Sequence, residues 1–299
     1  MAWNAGPVSS PVDPASIQPR LDDVQRRLSE HPGYREYLAC EELRRTINAV
    51  FVLNLRALLA VLNRPTQDQA LAVELFQNMR RPDIREGYEA AVTNTLHNYV
   101  AGSATLVDHT RRLMDRRTGP IAEEFDQRKK RVADDPEVLF IKNLRNFVLH
   151  RAHPFLGHTV TVADQSGRIT GEIELSRKDL LTWDRWSSPA RAFIRDQPEN
   201  IPLRAILQHH AKLMIELHNW LHDQLALANR AALKDTNRLV DERNAILSGL
   251  DPAAAQRLSE AATRLRNSPT PIKTEDFLAM LRGEPLAPGS EGSPPRRDA

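Results

Sequence analysis

For most of this chain the apolar residues return every three or four positions, and only once does that period fall to two. Helical spacing is seen in Leu43, Ile47, Val50, Leu58 and Leu62, again in Val138, Ile141, Leu144 and Val148, and again in Met214, Leu217, Leu221, Leu225 and Ala228. Each set lines one side of a helix and requires something apolar to cover it. The exception runs from His158 to Ser176. There "HTVTV" alternates, and "GRITGEIELS" sets Ile169, Gly171, Ile173 and Leu175 against Thr170, Glu172 and Glu174. Two alternating runs joined by "ADQSG" predict a β-hairpin. The expected fold class is all-α (mainly): an antiparallel bundle of long helices with one β-hairpin inserted at about 158–176.

The breakers fit this reading. Gly is scarce (12 of 299 residues), and the 20 Pro gather at the two ends and in a few connectors. The spacing predicts a first helix over "IQPRLDDVQRRLSE", then one from Tyr34 to about Asn63 that Pro65 ends, with Thr66 as N-cap of the next. A long helix follows from Pro82 to about Arg117, and Gly119-Pro120 breaks it. Asp134 or Asp135 can cap a helix with Pro136 in its first turn and Pro154 at its close. The last long helix is expected from about Ile201 to Asn229. The expected domain plan is a disordered segment over 1–19, rich in Pro, Ser and Ala, and a bundle over 20–230. Peripheral C-terminal helices over 231–282 and a disordered tail over 283–299 complete it.

Composition narrows the function classes. A formal net charge of +2 excludes a globally basic nucleic-acid binder, so any anion site must be local. One cysteine, Cys40, excludes an internal disulfide framework and a cysteine-built zinc cluster. The first residues lack a basic and then apolar leader. The most apolar stretch, Ile47 to Leu62, is short for a membrane span and contains Asn54 and Arg56, so it is read as a core helix. Cytoplasmic location, with no membrane partner, is the corresponding expectation.

The polar residues of "NLRNFVLHRAHPF", Asn143 to Phe155, carry the chemistry. Asn146 and His150 are four apart and stack on one helix face, with Asn143 one turn before and His153 one turn after. Lys142 flanks that row. Arg145 is five residues from His150, about 140° around the helix, yet long enough to swing toward it. Histidine exchanges protons near neutral pH, and arginine forks onto phosphate.

With Leu144, Arg145, Asn146, His150 and Pro154 in this order, the segment resembles the signature of the HEPN superfamily (higher eukaryotes and prokaryotes nucleotide-binding), Arg-Asn-x-x-x-His near the end of a bundle helix. The resemblance covers the motif and, loosely, the surrounding bundle. It implies a metal-independent endoribonuclease that cleaves single-stranded RNA to cyclic-phosphate ends, in a toxin or defence setting. His150 would be the general acid or base, Arg145 the phosphate ligand and Asn146 the orienting amide. Lys142, Asn143 and His153 would contact substrate. The resemblance also implies a homodimer whose two motifs face each other, and an antitoxin or other regulatory protein as partner. No metal ligand and no cofactor are expected. The rival reading, from a different class, is a non-catalytic helical protein that binds a protein partner or a nucleotide.

Other features carry less. Arg-x-x-x-x-His occurs three times, at Arg26/His31, Arg145/His150 and Arg204/His209, and only Arg145 is followed by an amide side chain. His218 and His222 have metal-ligand spacing but lack the glutamate a zincin needs. His209, His210 and Lys212 lie on the same helical stretch and could be lent to an RNA cleft. Trp183 and Trp186 could stack on bases, but an anchoring role for the hairpin is favoured. The basic cluster Arg128 to Arg131 reads as a solvated helix face.

Overall fold

The computed structural model describes residues 14–76, 82–150, 156–162 and 169–248, and shows a mainly helical fold with one inserted hairpin. Its helices are α1 (Pro14–Glu30), α2 (Pro32–Arg45), α3 (Leu53–Gln67), α4 (Gln69–Phe76), α5 (Pro82–Met114), α6 (Pro120–Ala133) and α7 (Pro136–His150). After the strands β1 (Leu156–Val162) and β2 (Ile169–Ser176) come α8 (Arg177–Leu181), α9 (Ser188–Asp196), β3 (Asn200–Pro202), α10 (Leu203–Ala228) and α11 (Arg230–Ser248). The chain divides into two compact units; described residues 14–42 and 222–248 belong to one, 43–221 to the other.

In the smaller unit α1 pairs with α11. Ile17, Val24 and Leu28 share a core with Leu239 and Ile246. Arg27 reaches both Asp23 on its own helix and Glu242 on α11. This helix begins at Pro14, inside the stretch expected to be disordered up to 19, because Ile17 is buried in that core. The sequence set α11 apart as peripheral, yet it supplies two of the five buried residues of this core.

The larger unit is built on the antiparallel seam between α5 and the run from Thr46 to Gln67. Thr46 Oγ1 lies 3.1 Å from His109 Nδ1 at one end, and the Tyr88 hydroxyl donates to Val61 O at the other. Ile47, Phe51, Leu55, Leu58 and Leu62 are buried along the seam's inner side. Two features were not foreseen. A π-helical turn, Thr46–Val52, joins α2 to α3. In addition, Pro65 does not end the helix, which continues to Gln67. A proline within a helix leaves the carbonyl four residues earlier without its usual donor. That carbonyl is Val61 O, which accepts the Tyr88 hydroxyl at 3.1 Å. Thr66 is not the next N-cap either. Its hydroxyl donates back to Asn63 O, while Asp68 Oδ1 accepts from Leu71 N and caps α4.

The Gly119-Pro120 break is as expected: Gly119 has φ 89°, and Pro120 opens α6. Asp135 is the cap of α7, its Oδ1 accepting from the amides of Glu137 and Val138. The hairpin pairs β1 with β2 in unbroken register, Leu156 opposite Leu175 through Val162 opposite Ile169. A third strand, β3, continues the sheet through Leu175 opposite Ile201. The sequence placed Ile201 at the start of a helix, since three residues are too few to display a period. The helix begins instead at Leu203.

Gly33 offers a test of the smaller unit. A Cβ there would stand 2.7 Å from both the Cβ and the carbonyl oxygen of Ala232. Removing a helical glycine normally stabilises by about 1 kcal/mol. A clash against backbone costs roughly 1–3 kcal/mol, so the clash wins. Gly33→Ala is expected to lower the urea midpoint; a higher midpoint would show that α11 can move aside.

Candidate active site on the last long helix before the hairpin

Helix α7 buries one side and offers the other. Phe140, Ile141, Leu144, Phe147 and Val148 are buried. Phe140 and Phe147 stack on Trp186, and Trp183 meets Phe147 edge-on. Trp186 also donates its indole N–H to Leu180 O at 2.6 Å. Both tryptophans are therefore enclosed in this ring cluster and are not offered to bases.

The motif residues meet different fates. Lys142 and Asn146 are exposed on the outer side of α7. Arg145 is half-buried, and its Nε is enclosed without a hydrogen-bond partner among the described residues. Asn143, expected to contact substrate, is 9% exposed. Its Nδ2 donates to Leu139 O at 2.8 Å, and its Oδ1 accepts from Ser187 N at 3.0 Å. Both ends of the amide carry a hydrogen bond, so Asn143 ties α7 to the start of α9. Helical spacing cannot separate it from Asn146, because the difference comes from where α9 arrives. His150 is the last residue of α7, and its side chain lies outside the described residues, as does all of His153.

The other two Arg-x-x-x-x-His copies are committed elsewhere. Arg26 bridges Asp23 and Glu30, and His31 Nδ1 accepts from Gly33 N. Arg204 donates to Leu62 O, and His209 Nε2 sits 2.9 Å from Asp135 Oδ2. Asp135 precedes the first residue of α7, which is 15 residues long. At about 1.5 Å per residue, His209 is roughly 20 Å of helix away from His150. It is therefore not lent to an RNA site at the far end. Beside it, burial of its carboxyl raises the pKa of Glu137, with Asp135 adding to the rise and His209 opposing it.

The two inward histidines of α10 are also spoken for. His210 is hydrogen-bonded to the Tyr99 hydroxyl at 2.6 Å and rests edge-on against that ring. His218 Nδ1 lies 2.6 Å from Met214 O, and His222 Nδ1 lies 3.3 Å from Asp223. No group of three or more His, Cys, Asp or Glu side chains among the described residues could hold a metal ion. In the basic cluster, Arg128 binds Glu124 and lies over Trp220, and Lys129 binds Asp126.

No family model, curated protein or solved structure matches this chain.

Two predictions follow from these environments. Asn143→Ala strands the half-buried Ser187 N–H and is expected to cost about 1–3 kcal/mol. Asn146→Ala, on the open side, is expected to change stability by less than about 0.5 kcal/mol. Urea denaturation separates them, and equal losses would refute the two roles. The second concerns acid. Desolvation lowers the pKa of His210 to about 3 and that of His218 to about 4. An unfolded histidine takes up its proton near pH 6.5, so below that pH the unfolded state binds more protons than the folded one. Stability should fall on acidification from pH 6.5 toward 4, by at most about 1.4 kcal/mol per pH unit for each histidine. His218→Gln should flatten that slope in urea melts run across this range.

Proposed function

We propose that this chain is a HEPN-like endoribonuclease that cleaves single-stranded RNA without a metal, leaving cyclic-phosphate ends, and that it acts as a homodimer in a toxin or defence setting held in check by an antitoxin or other regulatory protein. The observation that carries this reading is the state of Arg145. A half-buried guanidinium whose Nε has no hydrogen-bond partner among the described residues stands beside an exposed amide, Asn146, on the helix that ends at His150. The ordinary alternative for such an arginine is a surface ion pair, as Arg26 and Arg128 make. A partly desolvated arginine with an unused donor is suited to a phosphate.

In the proposed reaction the RNA 2′-oxygen attacks the adjacent phosphorus, and the 5′-oxygen departs. The 2′,3′-cyclic phosphate stays on one fragment and a 5′-hydroxyl on the other. Arg145 holds the non-bridging oxygens as their charge grows. His150 takes the 2′-hydroxyl proton or supplies one to the departing oxygen, and its counterpart in a second chain performs the other transfer. Asn146 orients the histidine or the phosphate, and Lys142 adds a charge on the same open side.

The test is cleavage of end-labelled single-stranded RNA in the presence of EDTA. Wild type should cut, with cyclic-phosphate ends. Arg145→Ala and His150→Ala, shown to be folded, should each lose about a hundredfold or more. His209→Ala should cut as wild type does. No cleavage by wild type across varied RNAs would turn the reading toward a non-catalytic protein that binds a partner or a nucleotide.

A further inference from the structure

One surface is left unexplained by an RNA site on α7. From Leu43 to Gln67 the sequence has Arg44, Arg45, Arg56 and Arg64 and not one aspartate or glutamate. The inner side of this run is occupied by α5, with β2, α4 and α10 also packed against it. The outward side of a surface helix is ordinarily charged. Here the exposed positions between Arg45 and Arg64 are Ala49, Leu53, Ala57 and Ala60, spaced by four, four and three residues along one stripe. Leu53 is 55% exposed, unusual for a leucine. Arg45 and Arg64, both exposed, stand at the two ends.

We propose that this stripe is the docking face for an acidic amphipathic helix of another protein. Its leucine-like side chains would enter the hollows over Ala49, Ala57 and Ala60 and pack around Leu53, while its flanking carboxylates would meet Arg45 and Arg64. The chemistry selects this occupant. Alanine adds little apolar area, but it lets a second helix approach to about 8 Å. A face that enters a lipid surface is instead built from large apolar and aromatic residues. A second copy of this chain would set arginine against arginine whichever way the two helices ran, and like charges facing each other disfavour that pairing. From Arg45 to Arg64, at about 1.5 Å per residue, the face suits a partner helix of roughly twenty residues.

The probe is a labelled synthetic helix of roughly that length, with leucines at steps of four and three and glutamates on both flanks. Its control carries lysines in place of the glutamates. Titrated with the full chain, the glutamate peptide should bind saturably and about tenfold or more tighter than the lysine peptide. Ala57→Glu and, separately, Leu53→Glu should abolish binding. Arg45→Glu combined with Arg64→Glu should weaken it about tenfold or more. All these positions are exposed, and circular dichroism with a thermal melt confirms folding. The proposal falls if neither peptide binds, if both bind equally, or if binding survives the two glutamate variants. It also falls if wild type is a dimer that Ala57→Glu converts to a monomer in sedimentation, which puts a second copy on the face. Flotation with phosphatidylglycerol vesicles that Ala57→Glu abolishes would assign the face to lipid and overturn the proposal equally. None of these readouts depends on RNA cleavage.

Discussion

Burial of one side of residues 46–67 against α5 is the interaction from which the larger unit is assembled, and the candidate site can be traced from it. Phe51 and Tyr99 meet across the seam, and His210 of α10 packs on both rings. That contact sets the rotation of α10. The preceding residue, His209, then faces outward onto Asp135. Asp135 is the cap of α7. The neighbour of the buried histidine thus holds the second oxygen of the capping carboxylate and ties the start of α7 to α10. Fifteen residues later α7 ends at His150.

Charge and burial are managed differently along these helices. Three buried polar groups are paired: His210 with Tyr99, Asn143 with Leu139 O and Ser187 N, Tyr88 with the carbonyl that Pro65 leaves open. Polar burial without a partner costs a few kcal/mol, so this pairing is expected wherever water is excluded. Among the described residues Arg145 Nε departs from it, as do Ser187 Oγ and Arg243 Nε. A donor kept dry and unused in a folded chain can be taken up by a ligand, and its place beside the exposed Asn146 on the helix that ends at His150 is what supports a functional reading.

Much of the fold was legible from local signals. The helices around Leu43–Leu62, Pro136–His150 and Met214–Ala228 and the His158–Ser176 hairpin follow from period, and Gly119, Pro120 and Asp135 follow from turn and cap chemistry. What could not be read rests on distant residues. Pro65 breaks a helix by its own chemistry, yet Tyr88, far along the chain, removes the cost. The strand at Asn200–Pro202 exists because β2 lies beside it. The π-helical turn carries no sequence mark, and α1 earns its early start from α11, at the other end of the described chain.

The same division runs through the site. The sequence alone determined that Arg145, Asn146 and His150 share one helix with an apolar side, because helical period and capping act within a few residues. Tertiary structure decided which polar residues of that helix remain open. Asn143 and Asn146 are chemically identical and one turn apart, yet the start of α9 lies over the first and not the second. A side chain's burial is set by the element that arrives beside it, and that element is chosen by packing over the whole unit.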